Sequence, residues 1–207
     1  MSEPIEHRFY HEVLTPLVRF QARCAENVCI QENYNDVIVL AQEAATAAYH
    51  FPEAVLGRQT QMASSLSEAL RQKLSDVVDS RKHGVLRNTD RQTSLQAALA
   101  YEFNEAQEFR YLGTRVTATN RRFGKFDVAE TVAQFADDLR SELGIAIQMP
   151  SFETPLYPFT AKIVTYVTDK TFFAKNTQLQ FFERGGDGKL LPSDPKQVHF
   201  EVQELTS

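Results

Sequence analysis

Apolar residues at Ile5, Phe9, Val13, Leu17, Phe20, Cys24 and Val28 recur every three or four positions. That spacing draws one stripe down an amphipathic helix. Pro16 lies inside the stripe, so a kink or two consecutive helices is expected. Residues 33–36 break the pattern, and Asn33 and Asp36 can cap a second helix over 37–51. Its inner side would be Val37, Leu40, Ala41, Ala44 and Ala48, small enough to let a neighbouring helix come close. Pro52 is expected to close this helix, and Gly57 to end a short turn after it. A third helix starts at a Ser65/Glu68 capping box and carries Leu66, Leu70, Leu74, Val77 and Val78. Arg81, Lys82 and His83 fill its last turn, where positive charge complements the helix dipole, and Gly84 follows as the residue that leaves the helix.

Beyond Gly84 the period changes. Leu95, Ala97, Leu99, Tyr101 and Phe103 alternate with polar positions that include Gln96 and Glu102, and 109–119 is dense in Phe, Tyr, Val and Thr. A hairpin over 95–119, turning at 104–107, fits this pattern. Helical spacing of Leu95, Ala98 and Leu99 leaves a helix over 92–103 open as well. Asp127, with Glu130 three residues on, caps a further helix with an apolar face of Val128, Val132, Phe135, Ala136, Leu139 and Leu143, ended by Gly144. Pro150, Pro155 and Pro158 mark a loop. Strands follow over 159–168 and 177–184, then a glycine turn at 185–188 and a half-exposed final strand around Val198, Phe200 and Val202. The fold class expected is α+β, a bundle-like helical half followed by a mainly antiparallel β half. Residues 1–148 form the mainly helical region and 159–207 the β-rich one, with one shared core expected because each half alone is small.

Composition narrows the class of molecule. The chain has 207 residues, 43% apolar and 24% charged, with 15 Phe and 7 Tyr, which is the make-up of a globular rather than a disordered chain. Its longest apolar runs, 37–41 and 97–101, are 5 residues each, against the ~20 that cross a bilayer, so no membrane span is expected. The first residues, Met-Ser-Glu-Pro-Ile-Glu-His, are acidic and show no apolar secretory segment. Cys24 and Cys29, five apart, make neither a CxxC pair nor a zinc spacing and fall on different helix faces, which disfavours a disulfide. Two thiols in that arrangement point to a reducing, cytoplasmic setting, with Cys24 as a core residue. The net charge of −5 conceals an asymmetry: 71–125 hold 11 Lys/Arg against 6 Asp/Glu, while the flanks hold 11 against 21. A basic middle can serve an anionic ligand or nucleic acid, or simply offset its acidic flanks.

Chemistry concentrates in 79–91. Asp79 and His83 are one helical turn apart, and a carboxylate there would orient the imidazole for acid–base work. Arg87 and Arg91 could hold a phosphate beside the pair, a set able to cleave RNA through its own 2′-hydroxyl without a metal. Alternatively Arg81, Lys82 and His83 satisfy the helix terminus and Asp79 pairs with one of them. Arg110, Arg115, Arg121, Arg122 and Lys125 interleave with Phe109, Tyr111 and Phe123, as in surfaces that bind single-stranded nucleic acid. Lys82, Arg87, Arg91, Arg110, Arg121 and Arg122 are the expected anion-binding residues. His7 and His11 are also one turn apart, but no HExxH motif accompanies them, and a solvated helix face is expected. No phosphate-binding loop, dinucleotide fingerprint or GxSxG elbow is present, and no cofactor or metal is expected.

A helix ending in Asp79, Lys82, His83 and Gly84 after an alanine-rich helix resembles the HEPN superfamily of prokaryotic helical proteins, over residues 5–144. The resemblance implies a toxin, defence or RNA-processing setting. Nuclease members of that family use an Arg followed, after four to six residues, by His. This chain lacks that spacing, so the resemblance implies a non-catalytic member, and the hairpin at 95–119 is a further departure. Three readings result. The first is a non-enzymatic binding or interaction protein of a prokaryotic defence or mobile-element system, with a basic central surface for an anionic partner. The second is a small metal-independent ribonuclease using His83, and the third an RNA- or DNA-binding protein that does not cleave. A protein partner or a second copy of the chain is compatible with the first.

Overall fold

The computed structural model describes residues 4–26, 35–57, 65–151, 156–167, 170–171 and 177–204. Val28, Cys29, Asn33 and Pro155, and the side chains of Ser65 and Leu66, lie outside the described residues. The fold class is α+β, with helices in the N-terminal part and a mostly antiparallel sheet.

The first helix runs as α1 (Ile5–Phe9), a π-helical turn (Tyr10–Leu14) and α2 (Thr15–Ala25). Pro16 therefore neither splits nor ends the helix. Its ring would crowd the carbonyl four residues back in an α-helix, and it has no N–H to give. The wider π turn relieves both problems, and Thr15 N–H donates to Tyr10 O instead. The expected stripe survives: Phe9, Val13, Leu17 and Phe20 are buried, Leu14 joins them, and Cys24 is only half-buried.

Helix α3 (Asn35–Leu56) carries Ala41, Ala44, Ala45 and Ala48 without any exposed surface, as the alanine pattern predicts. Pro52 was expected to close it; the helix instead continues through Pro52 and ends at Gly57, whose φ is 77°. Proline costs one hydrogen bond, and near a helix end that loss is tolerated when a glycine follows to satisfy the terminus. Gly57 N–H donates to Glu53 O at 3.0 Å. Helix α4 (Ser65–His83) buries Leu70, Leu74, Val77 and Val78 and leaves through Gly84 at φ 67°.

Strands β1 (Ser94–Phe103) and β2 (Phe109–Asn120) form the expected hairpin, which excludes the helical alternative for 92–103. Its turn is held by Asn104, whose Oδ1 accepts from Glu108 N–H at 3.0 Å. Strand β3 (Gly124–Asp127) pairs antiparallel with the end of β2. Helix α5 (Val128–Glu142) follows, capped by Asp127 Oδ1 at 3.0 Å from Glu130 N–H, and buries Val128, Val132, Phe135, Ala136 and Leu139. The remaining strands are β4 (Ile163–Val167), β5 (Leu179–Arg184), β6 (Leu190–Pro192) and β7 (Phe200–Glu204). The five-stranded sheet has the order β3-β2-β1-β5-β6, and β4 pairs with β7 in a second sheet. Two of these pairings, β1 with β5 and β4 with β7, are parallel. Alternation along a strand says which face is buried but not which way its neighbour runs, so these contacts are invisible in the sequence pattern.

The chain divides into two units that interleave in sequence. The first is Met1–Ala22, Asp36–Gln96 and Val116–Phe152; the second is Arg23–Asn35, Ala97–Arg115 and Glu153–Ser207. In the first, Phe9 meets Phe51 edge-on at 5.5 Å, and α4 packs on α5. In the second, Tyr101, Phe103, Phe109, Tyr111, Tyr157 and Phe181 form a chain of ring contacts at 5.4–6.4 Å. Each fully buried phenylalanine contributes about 1.5–3 kcal/mol.

Candidate functional site

The end of α4 is built on a buried carboxylate. Asp76, between Ser75 and Val77, has no exposed surface. A lone charge there would be costly, so it must be paired and hydrogen-bonded. Arg91 supplies the pair: its Nε donates to Asp76 Oδ1 at 2.6 Å, and its Nη2 donates to Asp79 Oδ2 at 2.5 Å and Ser75 Oγ at 3.0 Å. The bonds to Asp76 and Asp79 hold the Arg91 pKa above its ordinary value, against desolvation that works to lower it. Asn120 Nδ2 donates to Asp76 Oδ2 at 3.3 Å and to Thr93 Oγ1 at 3.1 Å. Arg122 stands with Nη1 3.9 Å from Asp76 and donates through Nη2 to Gln72 Oε1.

Above this network the loop after α4 is fixed by side chains. Gln92 Nε2 donates to Gly84 O at 2.9 Å, and its Oε1 accepts from Leu86 N–H at 2.8 Å. Ser80 Oγ accepts from Thr93 N–H at 2.9 Å. Asn88 caps the 3-10 turn Thr89–Arg91 by accepting from Asp90 N–H. The turn carrying Arg121 and Arg122 joins the same frame, because Arg122 N–H donates to Asp90 O at 3.1 Å.

On this frame Arg81, Lys82, His83 and Arg87 are all exposed, and none of their side chains has a hydrogen bond or ion pair among the described residues. Arg121 is exposed too, with a carboxylate, Asp90, only at 4.0 Å. The structure thus brings Lys82, His83, Arg87, Arg91, Arg121 and Arg122 onto one local frame in the first unit. Two of them, Arg91 and Arg122, are bound to internal polar groups. Asp79 pairs with Arg91 and accepts from Ser75 Oγ at 3.3 Å, so its partner is not Arg81, Lys82 or His83 of its own helix end as expected but a cation brought in from the next turn.

Arg110 belongs elsewhere, in the second unit. Glu102, which the alternation of β1 put on the polar side, is buried with only 3% exposure. Arg110 Nε donates to its Oε2 at 2.7 Å, and Arg184 grips it with two bonds of 2.9 Å. Burial pushes the Glu102 carboxyl up, and the bonds from Arg184 and Arg110 outweigh this and leave it below its ordinary value. Arg110 also lies 4.7 Å over the Phe159 ring, and Arg115 4.5 Å over Phe182. Of the aromatics interleaved with these arginines, Phe109 is buried and Tyr111 makes tilted ring contacts with Tyr101 and Tyr157, at 5.4 and 5.7 Å between centroids. Phe123, on the Arg121–Arg122 turn, is half-buried, with Lys73 and Arg122 at 5.9 and 4.9 Å from its ring.

Asp76, Asn120, Glu102 and Arg184 were not anticipated from sequence. A weak signal existed for two of them: Asp76 adjoins Val77 and Val78, and Glu102 sits between Tyr101 and Phe103. Among the described residues no cluster of three or more His, Cys, Asp or Glu side chains is arranged for a metal, and no helix is long and apolar enough to cross a membrane. No family model, curated protein or solved structure matches this chain.

Proposed function

We propose that this is a non-enzymatic binding protein whose basic α4 end takes an anionic partner, with the RNA backbone as the partner class. The observation that carries this reading is the exposed set of Arg81, Lys82 and His83 on the last turn of α4 and Arg87 on the loop that Gln92 holds, without a carboxylate against any of them among the described residues. Charges displayed on a fixed frame lose little entropy when they meet phosphates, and neutralising each phosphate releases counterions. Catalysis by His83 is the less favoured reading, because the carboxylate that would orient the ring is engaged by Arg91. A cytoplasmic setting, and a prokaryotic defence or mobile-element system as suggested by the HEPN resemblance, belong to the same proposal.

Fluorescence anisotropy with a labelled single-stranded RNA tests it across a salt series. Binding that weakens with salt and leaves the RNA intact is expected. Lys82→Ala and Arg87→Ala should each weaken binding and reduce the salt slope by about 1. Absence of binding at low salt would overturn the proposal. RNA cleavage that disappears in His83→Ala would replace it with the ribonuclease reading.

A further inference from the structure

The first helix brings two imidazoles together. His7 and His11 are both exposed, and their Nε2 atoms are 3.1 Å apart. The ring centroids are 4.3 Å apart, with the planes at 63°. Zinc-, copper- and nickel-sized ions bind imidazole nitrogen at roughly 2.0–2.1 Å. With nitrogens 3.1 Å apart, such an ion would see an angle of about 100° between them. That lies between the right angle of tetragonal or octahedral sites and the tetrahedral angle, so the nitrogen separation is compatible with all three once the rings turn their lone pairs toward a shared ion.

We propose that His7 and His11 chelate a divalent transition metal ion of the copper, nickel or zinc class through their Nε2 atoms. Neutral imidazole is a preferred ligand of these ions, with copper held most tightly. A hydrogen bond at this distance between two neutral imidazoles needs one Nε2 to carry the proton directed at the other. On binding, that ring changes tautomer: its proton passes through solvent from Nε2 to Nδ1, and both Nε2 lone pairs go to the metal. No net proton is released from a neutral pair, and nothing is oxidised or reduced. Arg8, between the two in sequence, is bonded to Glu12 at 2.7 Å, which neutralises the cation flanking the site. His50, His83 and His199 are far apart in sequence and serve as single-imidazole references.

The test is titration of the untagged full chain with Cu(II), followed by calorimetry and electron paramagnetic resonance. One tight equivalent with two nitrogen ligands is expected. His7→Gln and His11→Gln should each weaken it by about tenfold or more, since either change turns a chelate into a lone ligand. The double substitution should add little. Both side chains are exposed, and a circular dichroism spectrum shared by all the variants confirms that only the site has changed. A tight equivalent retained by the double variant, or one abolished by His83→Gln, would overturn the assignment. This outcome is independent of whether RNA binds at the α4 end.

Discussion

Asp76 shows how much one side chain can decide. It is wholly buried, and it holds Arg91, Asn120 and Arg122 around the end of α4. Removing one partner of a buried ion pair leaves the other uncompensated, at a cost of about 3–5 kcal/mol. Arg91 keeps Asp79 and is 30% exposed, so Asp76→Ala should fall near the lower end, about 3 kcal/mol by urea unfolding. Asp79→Ala should cost about 1 kcal/mol, since a partly exposed pair is screened by water. Equal losses at the two positions would refute this ranking. The candidate site was legible to the extent that Asp79, Lys82 and His83 were marked at a helix end, with Arg87 just beyond it. Its organising residue was not, because a charge beside valines reads as a surface position until its partner, 15 residues away, is brought in by the fold.

At the scale of elements, periodicity proved a reliable guide wherever one face of a helix or strand was buried. Helix α5 starts, caps and ends where Asp127, Glu130 and Gly144 indicate, and the β1–β2 hairpin turns at Asn104. The exceptions have backbone causes. Pro16 is absorbed by a π turn, and Pro52 lies within α3. Gly113, inside β2, is another backbone device: its φ is 118°, and a Cβ there would come within 2.8 Å of Cys24 O. Gly113→Ala should therefore destabilise by about 1–3 kcal/mol, through strain that neither atom can relieve cheaply. Gly186→Ala, with open space around it, should stay within about 0.5 kcal/mol. Thermal unfolding of the two variants side by side checks the contrast, and similar midpoints would remove the role assigned to the close approach.

At the scale of the whole molecule, four carboxyls among the described residues, Glu12, Glu68, Glu102 and Glu201, have pKa values below the ordinary 4.5, and at each of them hydrogen bonds from cations lower the value. At Glu102 those bonds must first overcome burial. A carboxyl depressed in the folded state contributes stability that is complete above its unfolded pKa and is lost as pH falls through the folded value. Unfolding free energy should therefore hold above about pH 5 and decline below it, and Glu102→Gln should make the decline shallower. A free energy unchanged between pH 5 and 3 would contradict this. The sequence by itself determined the α+β class, most helix and strand positions and the concentration of positive charge in 71–125, because each rests on neighbours within a few turns of chain. Only the tertiary structure decided how that charge is used. It committed Arg91 and Arg122 to Asp76, gave Arg110 to Glu102 in the other unit, and left Arg81, Lys82, His83 and Arg87 exposed. Pairing a buried charge is a long-range event: Glu102 and Arg184 are 82 residues apart, and no local pattern records which distant partner will arrive.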